Sequence, residues 1–536
     1  DINEGAKLDL GSTAKLRTLV TYLEIVAELH TLYGAHSRET LRSTPRSSNN
    51  PLLNWALDYL ASTDERRLRP MLDAAMQRTY SANPGERFFT GGGLHSFDNF
   101  SRDDNNKILP VQVAFRHSVN LVFIRMMRDI VRYTVSNNPA VADIFEDPDD
   151  PRRKAYLTRF ADREGRVFLN GFLRKYQGKT GDEALTRVLE GIRVTPRRLA
   201  VILRSVRPQL DEKAFAEQMR QHLDAPAQLS DGDLRDLYSR FGPERYSLPD
   251  RGYLAGIHPL ELWLVAFLQP NPGATHAQVT EASQEQRIEV YTWLFRTRHR
   301  NAQDVRIRSL LEVEAFIDIA RRWRRLGYPF EALTPSYATS IGSSADRPAA
   351  LAELVGILVN DGLRLPVVRI ERLHFAADTP YETYMERAPG PGEQVLPPEV
   401  AQVAREAMID VATQGTARRL SGAFVRDDGS PLVVGGKTGT GDHRYEVYGP
   451  GGVLVSSRVV TRSATLIFLA GDRFFGTLTA FAAEPHAADY QFTSSLAVQL
   501  LSRGIAPLLK PLWSETATSH GAGCPAPLSQ GGSSQD

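Results

Sequence analysis

The chain has 536 residues, 42% of them hydrophobic and 24% charged, enough apolar material to bury a large core without staples. Its 64 Lys and Arg offset 63 Asp and Glu, so the charge balance carries no footprint of nucleic-acid binding. The single cysteine, Cys524, excludes an intrachain disulfide, a cysteine zinc site and, in its Pro/Gly/Ser-rich surroundings, a thiol nucleophile.

Along the chain, Gly11-Ser12 opens the first helical pattern. Leu16, Leu19, Val20, Leu23, Val26 and Ala27 fall at helical spacing, which places Ser12 at the start of a helix that buries one face. A loop from Ser43 to Pro51 follows, then helical segments to about Tyr80. Gly91-Gly92-Gly93 opens a polar stretch containing Asn99, Asp103, Asp104 and Asn105. One continuous helix is predicted over Val111–Val131, apolar at Leu121, Val122, Ile124, Met127, Ile130 and Val131. From Asn138 to Gly256 the pattern is charged and helical, with proline breaks such as Asp147-Pro148-Asp149-Asp150-Pro151.

Further helices are predicted over Thr280–Leu326, Ala349–Asp361 and Pro397–Thr413. Within the first, Arg321-Arg322-Trp323-Arg324-Arg325 reads as a solvated helix face. The last third changes character. Leu432–Val434, Thr465–Ala470 and Thr477–Phe481 are strand-like, the latter two joined by a turn at Gly471-Asp472-Arg473. A helix near Asp489–Ser502 and a low-complexity tail from Ser514 to Asp536, expected to be disordered, complete the chain. Helices first and antiparallel strands later predict an α+β fold, a sheet with helices packed on it. No apolar run approaches the roughly 18 residues that span a bilayer. The chain opens on Asp1 and its first methionine is Met71, so it reads as a processed form or fragment with any anchor or export signal upstream.

Ser12-Thr13-Ala14-Lys15 is the one S-x-x-K in the chain. On a helix, positions i and i+3 share a face, so the Ser12 hydroxyl and the Lys15 amine can meet. The helix start favours negative charge forming on Ser12. Lysine is a base only if its pKa falls from about 10.4, and burial beside another cation lowers it. Nucleophilic serines of this kind occur with S-x-N and K-T-G elements. Ser47/Asn49, Ser48/Asn50 and Ser136/Asn138 lie in loops or at a helix end and read as turn chemistry. Ser118/Asn120 instead interrupt an apolar helix, where two polar side chains need partners or a cleft. Of two K-T-G strings, Lys179-Thr180-Gly181 precedes a helical pattern and reads as a cap, Thr180 or Asp182. Lys437-Thr438-Gly439-Thr440 follows a β run and suits an edge strand lining a cleft. Neither is a phosphate-binding P-loop, because the required first glycine is Leu173 in one and Pro431 in the other.

The ordered set Ser12/Lys15, Ser118/Asn120 and Lys437–Thr440 resembles the penicillin-binding transpeptidase superfamily. Ser336–Asp346, Asn360-Asp361-Gly362 and Val411–Arg418 resemble strings of its class A, bifunctional members. The resemblance covers most of residues 1–513, with an extra helical insertion at about 139–256 and the tail at 514–536 outside it. It implies a penicillin-binding-protein/β-lactamase-like antiparallel sheet flanked by helices, and a D,D-transpeptidase that cross-links peptidoglycan stem peptides. In that reading Ser12 is the nucleophile, Lys15 its base and Ser118 a proton relay to the leaving amine. Asn120 holds the peptide amide, Lys437 lends positive charge, and Thr438 or Thr440 binds the terminal carboxylate beside Gly439. Backbone N–H groups of Ser12 and Thr440 form the oxyanion hole.

The resemblance further implies β-lactams as covalent inhibitors, no metal or cofactor, and a periplasmic location tethered to the inner membrane through an upstream segment. The chain departs from the family in three ways. Only 11 residues precede Ser12, no glycosyltransferase motif is visible, and the family's D-x-W-F-x-G after K-T-G-T is replaced by a stretch through Asp442-His443-Arg444-Tyr445. Two other readings stay open: a D,D-carboxypeptidase or β-lactamase-type hydrolase, and a non-catalytic β-lactam sensor or scaffold.

Overall fold

A computed structural model describes residues 2–90, 93–139, 141, 144, 145, 147–223, 229–387, 390–448 and 454–514. Gly91-Gly92 and the expected tail after Ser514, Cys524 included, lie outside them. The chain divides into two compact units, Asp1–Pro139 with Glu312–Asp536, and Ala140–Leu311. The second unit therefore runs past the 256 expected as the end of the insertion.

The first unit is built on a helix, α1 (Ala14–Tyr33). Residues 14–27 are buried on every side, not on one face as the apolar spacing predicts. The polar positions of α1 are buried because each finds a partner. Thr18 and Thr21 donate to the Ala14 and Arg17 carbonyls, and Thr21 accepts from the Trp323 indole at 3.0 Å. Arg322 and Arg325 pair with Glu24 of α1, and Arg322 also with Glu28. Arg321, Arg324 and Arg325 are exposed, as expected of a solvated face, while Trp323 between them is buried and Arg322 and Arg325 add ion pairs to α1.

Helices α3 (Asn120–Ser136) and α5 (Pro398–Gln414) pack on α1, and α2 (Val111–His117) and α4 (Pro348–Val359) pack on α5. Both α4 and α5 begin on proline, whose fixed φ and missing N–H suit the first helical turn. A three-stranded antiparallel sheet follows: β1 (Val434–Tyr448), β2 (Leu454–Ala470) and β3 (Phe474–Ala483), in the order β3-β2-β1. The β2–β3 hairpin turns at the expected Gly471-Asp472-Arg473, pairing Ala470 with Phe474. The strands β1 and β2 are much longer than the apolar runs that announce them. Their outer parts, Asp442–Val447 and Leu454–Val459, are mostly exposed and carry no apolar alternation. Helix α4 packs on β3 and α5 on β1, giving the mixed helix-and-sheet architecture that the sequence predicts. The expected helix near Asp489–Ser502 begins at Ser495 and continues, through a wide turn at Leu500–Ile505, to Ser514. Among the described residues no helix is long and apolar enough to cross a membrane.

The second unit is helical and has its own core, which includes Leu199, Ile202, Phe215, Leu262 and Val265. Thr180 of the rival K-T-G string caps its Gly181–Glu190 helix in a reciprocal arrangement with Glu183. Among the rival S-x-N pairs, Asn50 caps the Pro51–Ser62 helix.

Candidate active site

Ser12 lies in a single tight turn, Gly11–Thr13, that leads into α1. Gly11 has φ +54°, and a Cβ there would stand 2.0 Å from the Thr440 carbonyl oxygen. Only glycine adopts that conformation cheaply and allows that approach. Gly439 answers from the strand, where a Cβ would stand 2.2 Å from the Leu10 carbonyl oxygen. The backbone leading to Ser12 is thereby laid against the K-T-G-T segment of β1.

Lys15, one turn along α1, is fully buried. Its Nζ is 2.7 Å from Ser12 Oγ, 2.7 Å from Asn120 Oδ1, 2.9 Å from the Ser118 carbonyl oxygen and 3.2 Å from Ser118 Oγ. The Asn120 Nδ2 donates to the Asp98 carbonyl at 2.9 Å, which turns the amide so that its oxygen faces Lys15. Burial holds the Lys15 amine well below the usual lysine range, and the Lys437 charge adds to that shift. A neutral amine has two N–H groups and one lone pair. The two carbonyl oxygens, of Asn120 and Ser118, only accept, so they take the N–H groups. In that state the lone pair remains for the Ser12 and Ser118 hydroxyls, at 2.7 and 3.2 Å, while a protonated Lys15 donates to Ser12 Oγ.

Ser118 has φ 60° and ψ 38°, a left-handed residue between α2 and α3. The helix predicted as continuous over Val111–Val131 is therefore broken at Ser118 and Val119. A non-glycine residue in that region costs about 1–2 kcal/mol, here set against two lysine contacts. Ser118 Oγ stands between the amines, 3.2 Å from Lys15 Nζ and 2.9 Å from Lys437 Nζ.

Lys437 is fully buried on β1, with Nζ also donating to the Thr438 carbonyl at 2.7 Å. Burial pushes its amine down to about 7. The rings of Phe123 and Phe115 lie 5.9 Å from Lys15 Nζ and 5.7 Å from Lys437 Nζ, keeping water from one side of each amine. Thr438 Oγ1 is 2.7 Å from Thr416 Oγ1. Thr440 Oγ1 accepts from the Ser494 N–H at 2.9 Å, which leaves its own proton free to donate.

All eight residues singled out in the sequence, Ser12, Lys15, Ser118, Asn120, Lys437, Thr438, Gly439 and Thr440, thus belong to one set of contacting elements. Four further residues shape it without having been singled out as site residues. Thr416 holds Thr438, Ser494 holds Thr440, and Asp98 orients Asn120. Asn99 accepts from the Leu121 N–H at 3.0 Å and fixes the start of α3. Thr416 lies in the Val411–Arg418 string and follows Gly415, where a Cβ would meet the Arg116 carbonyl at 2.4 Å.

No family model matches the chain, and no curated protein matches it. Solved structures that match include the D,D-transpeptidase domain of a peptidoglycan glycosyltransferase from Eggerthella lenta. It is 13% identical, with a TM-score of 0.35, and the match covers 97% of this chain and 68% of that one. PBPA from Mycobacterium tuberculosis matches at 11% identity and a TM-score of 0.35, over 94% of this chain and 62% of that one. Penicillin binding protein 3 from the same organism matches at 19% identity and a TM-score of 0.25, over 40% and 49%. The chain spans from 49% to 68% of the length of these solved proteins.

Proposed function

We propose that this chain is the transpeptidase domain of a class A, bifunctional penicillin-binding protein, acting outside the cytoplasm on peptidoglycan stem peptides. The observation that carries the reading is the buried Lys15 amine, whose Nζ lies 2.7 Å from Ser12 Oγ and within hydrogen-bond distance of Asn120 Oδ1 and the Ser118 carbonyl oxygen. Ser12 Oγ attacks the penultimate D-alanine carbonyl carbon and its proton passes to Lys15 Nζ. The oxyanion gathers at the Ser12 and Thr440 backbone N–H groups, a stabilisation typically worth about 3 kcal/mol. The C–N bond then breaks, and the departing D-alanine nitrogen takes a proton through Ser118. Asn120 holds the peptide amide, and Lys437, Thr438 and Thr440 hold the terminal carboxylate. An amine of a second strand attacks the acyl-enzyme, forms the new amide and returns a proton to Ser12. β-Lactams acylate the same oxygen, with ring opening in place of D-alanine loss.

Intact-mass spectrometry after benzylpenicillin treatment, with the adduct mapped by peptide, tests the reading. One equivalent on the peptide holding Ser12, absent in Ser12→Ala, is expected. An adduct elsewhere, or none, overturns it. Incubation with a stem peptide and an acceptor amine then separates cross-linked product from simple D-alanine release, which would mark a hydrolase. Acyl-enzyme with neither product would mark a sensor.

A further inference from the structure

Ser12 is held from the strand side by β1, and a second element holds it from the other side. The segment Ser336–Asp346 is a short tight helix, Tyr337–Ile341, followed by a turn closed on itself. Thr339 Oγ1 lies 2.6 Å from Ser344 Oγ and donates to the Thr334 carbonyl, while Tyr328 donates to the Ser344 carbonyl at 3.0 Å. Gly342, with φ +122°, touches the nucleophile turn directly: a Cβ there would stand 2.6 Å from the Gly11 carbonyl oxygen. The Gly11 backbone is thus pinched between Gly342 and Thr440.

Asp346 ends this segment and grips both sides of Ser12. Its backbone pairs with Leu8, four residues before the serine, through N–H···O bonds of 2.9 and 3.1 Å. Its carboxylate takes a forked pair from Arg17, five residues after the serine, at 2.6 and 3.2 Å. Asp346 is 4% exposed and Arg17 not at all. Arg17 also donates to the Leu326 and Ala350 carbonyls. A forked guanidinium–carboxylate pair fixes direction as well as distance.

We propose that Asp346 is a positioning residue for acylation of Ser12, closing the Leu8–Arg17 span so that the serine oxygen and its N–H keep one geometry against Lys15 and Thr440. The proposal rests on Ser12 being the acylated residue. Removing the carboxylate charge leaves Arg17 buried and unpaired and frees one end of the span. Misplacement by about 1 Å is enough to cost roughly 100-fold in a preorganised site.

The test is Asp346→Asn, which keeps the side-chain shape and the backbone pairing, followed by intact-mass kinetics with benzylpenicillin. The expected result is acylation that still reaches one equivalent, with a saturating rate lowered about 10–100-fold and a half-saturating concentration close to wild type. A purely structural role predicts a smaller labelled fraction that reacts at the wild-type rate, and that result overturns the proposal. Should Asp346→Asn fail to fold, Arg17→Lys keeps a buried positive charge but gives up the fork to Asp346 and carries the same expectations. Hydrogen exchange gives an arm that does not need the acylation reading. The amides of residues 9–13 exchange faster in Asp346→Asn, relative to the rest of α1, if the span is closed by this residue. Unchanged exchange there overturns the proposal. A wild-type chain that takes no penicillin removes the proposed function, and the exchange result alone then decides the positioning role of Asp346.

Discussion

Lys15 Nζ sits 2.7 Å from Ser12 Oγ and also reaches Asn120 Oδ1 and the Ser118 carbonyl, two oxygens that only accept. Deprotonated, as the proposed mechanism requires, the lysine accepts from the serine. Lys15→Arg puts a guanidinium there that cannot give up its proton. Acylation by benzylpenicillin is expected to slow by about 100-fold or more in this variant, in line with loss of a positioned base. Stopped-flow labelling with a fluorescent penicillin measures it, and a rate within a few-fold of wild type removes Lys15 as the base.

On the proposed mechanism the two lysines have opposing pH dependences. Lys15 must be neutral to accept the proton, so efficiency rises with pH through its lowered pKa. On the same mechanism Lys437 is protonated to attract the carboxylate and feed Ser118, and burial has pushed its amine down to about 7. The second-order acylation constant of the free protein is therefore expected to fall as pH rises through about 7. A carboxylate bound beside Lys437 restores its proton affinity, so the rate at saturation holds to higher pH than the second-order constant. Parallel profiles for the two constants would contradict this assignment.

How much of this was readable beforehand follows from how far apart the partners lie. Ser12 and Lys15 are i and i+3 on a helix, a local relation that spacing alone reveals. The polar pair Ser118/Asn120 stood out against an apolar helix, but the break at Ser118 did not. The left-handed turn there is held by contacts to Lys15 and Lys437, which lie 103 and 319 residues away. Thr416 lies in the Val411–Arg418 string, but nothing local tells that it meets Thr438 across 22 residues, and Ser494 meets Thr440 across 54 with no pattern to announce it. The second unit ends at Leu311 inside a continuous helix, Arg300–Arg325, so no break in composition marks its limit. The alternation rule finds strands with one buried face, and the outer half of β1 has none.

Thr416→Val tests one of the residues that spacing did not reveal. The change keeps the shape of the side chain and deletes the 2.7 Å hydrogen bond to Thr438 Oγ1. A hydrogen bond of this kind contributes about 1 kcal/mol. Pre-covalent affinity for penicillin is expected to weaken by roughly fivefold, while the acylation rate at saturation stays near wild type. A change confined to the saturating rate would place Thr416 in the chemistry instead of in carboxylate binding.

Lys437 also makes a prediction about stability, with the sign set by which state holds the proton. Its amine titrates at about 7 in the folded protein and at 10.5 ordinarily, so the unfolded chain binds more protons between those values. Stability attributable to this group therefore rises with pH across that window, by about 1.4 kcal/mol per unit at most. Below about pH 7 the folded protein carries the full penalty of a buried ammonium. Lys437→Met fills similar volume with no charge to bury. Its Tm is expected to exceed that of wild type at neutral pH, and the gap is expected to shrink as pH approaches 10. Thermal unfolding followed at several pH values measures the gap. A gap that does not change with pH would mean that burial of the ammonium is not what Lys437 costs the fold. A shrinking gap, together with loss of acylation in the same variant, would show a site that keeps a destabilising cation because carboxylate binding and Ser118 need it.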